Sequence, residues 1–337
     1  MAYKLSICIP TYNRGKFLDE ALASIAGQRG LEHVELVISD NASSDETSAV
    51  VAGWRDKLPC TLNYFRWGNN QGADANFLHV IDIAQGEFCW LLGSDDKLAD
   101  GAVAALLPFL GDTSILLADY DLYASDLRTL IQRRKTLSCE PGAKFRLTNA
   151  TEFQRYLSHA HELSSLFAYI STLIVRKRDW DAVKTRSEFM GSAWIHVTKA
   201  LEMFGEGGEL TYVGQTLILN RSGNDSFLEE VGFIRRMLID LDYMRICDQI
   251  FADKLEMQRV MKAWLERRFF RWALVLGTRY YARRVDQGRS LDKVRDALFQ
   301  RFERNPSWYL KRLAWHLFPQ ALLHWMRALK ANRGLAR

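Results

Sequence analysis

The chain has 337 residues, 48% of them hydrophobic, which is enough for a large packed core and places it among globular proteins; no run approaches the roughly 18 apolar residues of a spanning helix. Its net charge of +5 is unevenly spread, since residues 259–337 carry 19 Lys+Arg against 5 Asp+Glu, a net of +14, and residues 1–258 carry 26 against 35, a net of −9. The two parts therefore face different partners.

In chain order, residues 5–10 read as an apolar strand, and a polar turn over 11–15 leads to a helix over about 16–28. A second strand, 34–39, ends in Asp40-Asn41-Ala42-Ser43-Ser44-Asp45, a turn dense in helix-capping side chains, and a helix to about 57 follows. The third strand, 61–65, passes through Gly68-Asn69-Asn70-Gln71-Gly72 into a helix ending near 85, and residues 88–92 form a fourth, buried strand. This β-α-β-α-β-α-β order predicts a doubly wound α/β sheet. Its polar loops at 11–15, 40–45 and 93–97 should meet at one sheet edge, where such folds bind nucleotides.

The fourth strand is followed by Gly93-Ser94-Asp95-Asp96. Adjacent carboxylates at that edge suit a hard divalent cation shared with substrate phosphates. The competing reading is a helix cap, with Asp96 or Asp100 capping a helix that begins near Gly101. Neither G-x-G-x-x-G after the first strand nor a P-loop sequence occurs, so dinucleotide and P-loop readings lose their specific evidence.

The segments Ile9-Pro10-Thr11-Tyr12-Asn13-Arg14, then 39–47, then Asn69-Asn70-Gln71-Gly72, then Leu91-Leu92-Gly93-Ser94-Asp95-Asp96 together resemble the family 2 glycosyltransferases of GT-A fold. Within that family they look most like abequosyltransferase-type members that build bacterial O-antigen and capsule chains. The resemblance covers roughly residues 3–110 and implies a GT-A mixed sheet flanked by helices, over 1–226, with a basic helical region over 227–337. It further implies that Pro10, Thr11 and Tyr12 line the base pocket, with Asn13 and Arg14 as neighbouring contacts. Asp40 would accept a hydrogen bond from the base, and Asn70 and Gly72 would shape the floor. Ser94 and Asp95 would lie at the ribose, and Asp95 or Asp96 would hold Mn²⁺ or Mg²⁺ against the diphosphate. Gly93 departs from the family's D-x-D-D pattern and removes one carboxylate.

The implied reaction is an inverting transfer of a sugar from a nucleotide-diphosphate donor to a glycan acceptor, lipid-linked at the cytoplasmic face of the membrane. A metal would stabilise the leaving diphosphate, and one general base must deprotonate the acceptor. The acidic pair that often supplies this base in the family is missing between residues 164 and 219, leaving Glu188 and His196 as candidates by position. Arg221, in Asn220-Arg221-Ser222-Gly223-Asn224-Asp225-Ser226, is a candidate phosphate contact or part of an ordinary turn. A nucleotidyltransferase, or a non-catalytic scaffold on a degenerate fold, are the alternatives.

Beyond about 228 the chain reads as helical. Over 308–330, Lys311, Arg312, His316, Gln320, His324, Arg327 and Lys330 share a polar stripe on an otherwise apolar helix divided at Pro319, the pattern of an interfacial membrane helix. No nucleic-acid motif accompanies the basic region, so nucleic acid is not an expected partner. The opening residues show no signal-peptide pattern, and the five cysteines lack C-x-x-C spacing, in keeping with reduced thiols and a cytoplasmic protein. His79, His159 and His161 do not have the spacing of a zinc site.

Overall fold

The computed structural model describes residues 3–223, 232–272, 275–276, 279, 291–303 and 305–317. It divides into two compact units, Met1–Asn224 and Asp225–Arg337.

The first unit opens with β1 (Tyr3–Thr11), α1 (Gly15–Ala26), β2 (Val34–Asp40), α2 (Thr47–Trp54), β3 (Thr61–Arg66), α3 (Ala73–Asp82) and β4 (Gly86–Leu91). Leu5, Ile7, Cys8 and Ile9 of β1 and all seven residues of β2 are buried, because both strands are covered on two faces. Helix α1 forms its covering stripe from Leu18, Ala21, Leu22 and Ile25, the i, i+3, i+4, i+7 spacing of one helix face. The unit continues with β5 (Lys97–Leu98), α4 (Ala102–Leu106), β6 (Ile115–Tyr123), β7 (Leu130–Arg134) and β8 (Lys144–Phe145). It closes with α5 (Ala150–His159), β9 (Leu173–Arg176), α6 (Lys177–Ala182), α7 (Ile195–Gly205) and β10 (Leu210–Arg221).

Among the described residues these strands make one mixed sheet in the order β3-β2-β1-β4-β9-β6-β10-β5, with β7 on β6 and β8 on β10. Strand β1 pairs in parallel with β2 on one side and with β4 on the other, so the strand order reverses at β1. The crevice outside Thr11 and Leu91 is therefore a topological switch point, the place where open α/β sheets bind ligands. Strand β9 runs antiparallel to both β4 and β6, and β10 runs parallel to β6 and antiparallel to β5.

The helix-cap reading of the acidic doublet fails. Helix α4 begins after Gly101, which takes a left-handed φ of 75°, and no side chain caps it. Strand β5 separates it from Asp96, whose carboxyl group turns the other way, to Ser171 and Asn220.

The second unit contains α8 (Gly232–Ile250), α9 (Leu255–Phe269), α10 (Leu291–Arg301) and α11 (Trp308–Leu317). Among the described residues no helix is long and apolar enough to cross a membrane. The expected stripe over 308–330 is described only as far as Leu317; Gln320, His324, Arg327 and Lys330, like Asn224, Asp225 and Ser226, lie outside the described residues.

A buried polar junction joins the parallel strands β1, β2 and β4. Ser6 Oγ donates to Glu35 Oε1 at 2.6 Å and accepts the Gly86 N–H at 2.8 Å, and the Gln85 N–H reaches the same Glu35 oxygen at 2.5 Å. A Cβ on Gly86 would lie 2.6 Å from Ser6 N and 2.8 Å from Leu5 C, against backbone that cannot yield. Gly86→Ala is expected to cost about 1–3 kcal/mol, the usual range for overpacking, seen as a lower urea midpoint at unchanged slope. An unchanged midpoint would contradict this packing.

Candidate active site

Loops following β1, β2 and β3 are tied into one surface by side-chain to backbone bonds. Asn13, at φ 50°, donates its N–H to Ser43 Oγ at 2.9 Å, and its Oδ1 accepts the Ser44 N–H at 2.8 Å. Gly15 N donates to Asp45 Oδ2 at 2.9 Å, and a Cβ there would strike Glu46 Cγ at 2.7 Å. Asn70 Oδ1 accepts from Asn41 Nδ2 and from the Gly72 N–H, both at 2.8 Å, and Gly72 has φ 86°, which favours glycine. Tyr12 is 45% exposed on this surface, a free aromatic face.

Asp40 is fully buried beneath it. Its Oδ1 accepts the Ser43 N–H at 2.8 Å, and its Oδ2 accepts the Tyr64 hydroxyl at 2.7 Å with Arg66 Nε at 3.5 Å. Two hydrogen bonds and one ion-pair neighbour thus hold the carboxylate, which has no exposed surface.

The acidic doublet is built around the missing side chain of Gly93. A Cβ at that position would meet Asp96 Oδ2 at 2.8 Å, Asp95 Oδ1 at 3.1 Å and Ser171 Oγ at 3.3 Å. Three oxygens from three residues therefore converge on a cradle that any side chain would fill. Asp96 is 2% exposed; its Oδ2 accepts the Ser171 hydroxyl at 2.5 Å, its Oδ1 accepts Asn220 Nδ2 at 3.0 Å, and the Tyr169 hydroxyl lies alongside. Burial, and then the charge of Asp95, push the Asp96 carboxyl up to about 7. Asp95 keeps part of its carboxylate exposed, 3.6 Å from Arg14 Nη1. An all-oxygen cradle of two crowded carboxylates fits a hard divalent cation, which offsets the repulsion and needs only one or two protein carboxylates when phosphates supply other ligands. Among the described residues no group of three or more His, Cys, Asp or Glu is arranged for a metal, so phosphate oxygens or water would have to complete the coordination.

Arg221 departs from the expectation of an open phosphate contact. It is 8% exposed; Nη2 binds Glu20 Oε2 at 2.8 Å, Nε donates to the Asp95 carbonyl at 3.3 Å and Nη1 to the Ser125 carbonyl. Its guanidinium also lies over Phe17, 4.8 Å from the ring centroid, with Arg14 over the same ring at 5.5 Å. Satisfied donors and burial make it a clamp on the Asp95 backbone.

His196, expected as one candidate base, is 1% exposed on α7 against Phe77 and Trp194, with ring centroids at 5.4 and 5.9 Å. Neither ring nitrogen has a hydrogen-bond partner of good geometry, and burial drives its pKa down to about 3. A base must reach an acceptor hydroxyl, and this ring has no open side. Glu188 sits in a 3₁₀ turn, Ser187–Phe189, with its carboxylate 46% exposed and 3.8 Å from Arg186 Nη1.

Asp74, in the first turn of α3, holds the start of α7: its carboxylate accepts the Ala193 N–H at 3.0 Å and the Ile195 N–H at 3.3 Å. Sequence reading passed over Asp74, Ser171, Phe17 and Glu20, since each acts on a residue far away in the chain.

The chain belongs to glycosyltransferase family 2: the family model described as Glycosyl transferase family 2 matches residues 6–178. It is a glycosyltransferase, so the scaffold and nucleotidyltransferase alternatives are not favoured. Among curated proteins it is similar to the abequosyltransferase RfbV of Salmonella typhimurium, 33% identical over 262 residues, 77% of this chain and 78% of that protein. It is also 38% identical over 105 residues, 31% of this chain, to a Campylobacter jejuni GalNAc(5)-diNAcBac-PP-undecaprenol beta-1,3-glucosyltransferase, of which the match spans 33%. Among solved structures, S. aureus TarS in complex with UDP matches 96% of this chain and 91% of that one, with TM-score 0.63 at 15% identity. The mannosyltransferase PcManGT from Pyrobaculum calidifontis, in complex with GDP-Man and Mn²⁺, matches 90% and 86%, with TM-score 0.51 at 15% identity. These structures share the GT-A fold.

The histidine gives a pH prediction. Because the folded ring resists protonation down to about 3 and the unfolded one titrates near 6.5, the unfolded state binds the extra proton between those values. Stability from this group is fully present above 6.5 and falls as pH drops toward 3. His196→Leu is expected to flatten the fall in thermal midpoint between pH 6.5 and 4 while leaving turnover within about twofold, since an unpaired buried polar group is replaced by an apolar one. Loss of turnover at an unchanged midpoint would restore the ring as a base.

Proposed function

We propose that this glycosyltransferase moves a sugar, with inversion, from a nucleotide-diphosphate donor to a hydroxyl of a lipid-linked glycan at the cytoplasmic membrane face, in the synthesis of an O-antigen or capsule-type surface polysaccharide. The observation that carries the reading is the convergence of Asp95, Asp96 and Ser171 oxygens over Gly93 at the β1/β4 switch point. The undecaprenol-linked substrate of the Campylobacter relative supports the acceptor class, the abequosyltransferase activity of the Salmonella relative supports sugar transfer, and the UDP and GDP-Man complexes of the structural neighbours support the donor class.

On this reading Tyr12 stacks on the base beside Pro10 and Thr11, and Asp40, buried and held by Ser43, Tyr64 and Arg66, braces the pocket from beneath without touching the base. Asn13 locks the loop against Ser43 and Ser44, and Asn70 with Gly72 forms a floor that needs no rearrangement on binding. Ser94 and Asp95 face the ribose. Asp95 and Asp96 would hold Mn²⁺ or Mg²⁺, which when bound supplies Lewis-acid stabilisation of the departing diphosphate. Arg14, already beside Asp95, adds positive charge at the same place. Glu188 takes the acceptor proton, being an exposed carboxylate on the segment that leads into α7.

A thermal-shift series with UDP, GDP, CDP and dTDP, with and without Mn²⁺, tests the donor site. One nucleotide should raise the midpoint only with metal, and Asp95→Asn should abolish the rise. No rise with any of them would remove the donor reading. Glu188→Gln should retain the rise and lose turnover by a factor on the order of 10² to 10⁴, the range of general-base catalysis. Undiminished turnover would take the base role from Glu188.

A further inference from the structure

Helix α11 carries Tyr309 and its three leucines outward. Tyr309, Leu310, Leu313 and Leu317 are 79%, 62%, 56% and 69% exposed, while Lys311 and Trp315 are buried. At 3.6 residues per turn the four exposed side chains fill a single arc of about 100°. The rotation of the helix is fixed from its inner side. Lys311 Nζ lies 4.3 Å from the Phe270 ring centroid and 5.7 Å from that of Trp272, and Trp315 packs edge-on to Phe299 at 5.9 Å. Arg312 and His316 are exposed at one border of the apolar arc, and Trp272 is exposed beside Lys311.

Charge decides what covers this arc. Residues 259–337 hold a net of +14, so a symmetric pairing of this face with its own copy would bring like charge against like, whereas an anionic lipid surface meets opposite charge. Exposed leucines bordered by Arg, His and aromatic rings are what an interfacial helix requires. We propose that α11 docks on an anionic lipid bilayer, with Leu310, Leu313 and Leu317 in the acyl boundary and Arg312 at the headgroups. The assignment rests on the membrane-face reading above and names the side chains that make the contact.

The test is flotation of the full-length protein with phosphatidylglycerol/phosphatidylethanolamine vesicles and with phosphatidylcholine vesicles. Wild type should float with the anionic vesicles and only weakly with the neutral ones. The triple variant Leu310→Gln, Leu313→Gln, Leu317→Gln should lose bound fraction by roughly tenfold or more, as three buried leucines predict. Leu255→Gln, which alters another exposed leucine, 58% exposed, should float as wild type does. Equal flotation of the triple variant overturns the assignment. So does a wild type that does not float but sediments as a dimer that the triple variant dissociates, which would make a second copy the occupant. The nucleotide thermal shift on the same triple variant separates the two readings. A retained shift with unaltered flotation rejects only the lipid contact, and absence of the shift in wild type rejects the donor site.

Discussion

Two like charges share a space made by a missing side chain. At Gly93 the absence of Cβ lets Asp95 and Asp96 fold their oxygens over the backbone, and burial of Asp96 then raises the cost of holding both as anions. The surroundings are arranged to sustain that crowding. Ser171 and Asn220 donate to Asp96, Arg14 stands beside Asp95, and Arg221 grips the Asp95 carbonyl while Glu20 and Phe17 hold Arg221. A cation arriving with a diphosphate would relieve that repulsion, and on the proposed reading metal and donor binding would then reinforce each other.

The scaffold supplies the rigidity this site needs. Parallel pairing of β1 with β2 and β4 sends three loops to one edge, and the Asn13, Asn41 and Asn70 amides tie the loops following β1, β2 and β3 together. The opposite side of the crevice comes from later chain: Ser171 precedes β9, which lies between β4 and β6, and Asn220 lies next to last in β10. Asp74 fixes the start of α7 relative to α3, which positions the segment that carries Glu188.

The first four strands and their loops were legible because each is a continuous buried run closed by capping and turn residues, a local signal. The Asp96 partners were not, since Ser171 and Asn220 lie 75 and 124 residues from it and enter through strands whose pairing has no local signature. The same limit explains His196: residue type and position suit a base, but burial depends on Phe77 from another helix. Over 308–317 periodicity set Lys311 on the polar stripe with Arg312 and His316 and Trp315 among the apolar remainder, whereas Lys311 and Trp315 share the covered face and Leu310, Leu313 and Leu317 are exposed, because the neighbouring rings of Phe270 and Phe299 decide which side is buried. The Gly93 departure was visible in sequence as a lost carboxylate; only the structure explains it as room for two others.

Mn²⁺ electron paramagnetic resonance tests that explanation most directly, comparing wild type with Gly93→Asp in the presence of the nucleoside diphosphate that stabilises the protein. Wild type is predicted to withdraw Mn²⁺ from the free signal only when nucleotide is present, and a folded Gly93→Asp is predicted to leave the signal free, because its added side chain occupies the cradle. Equal or tighter Mn²⁺ uptake by Gly93→Asp would contradict the account.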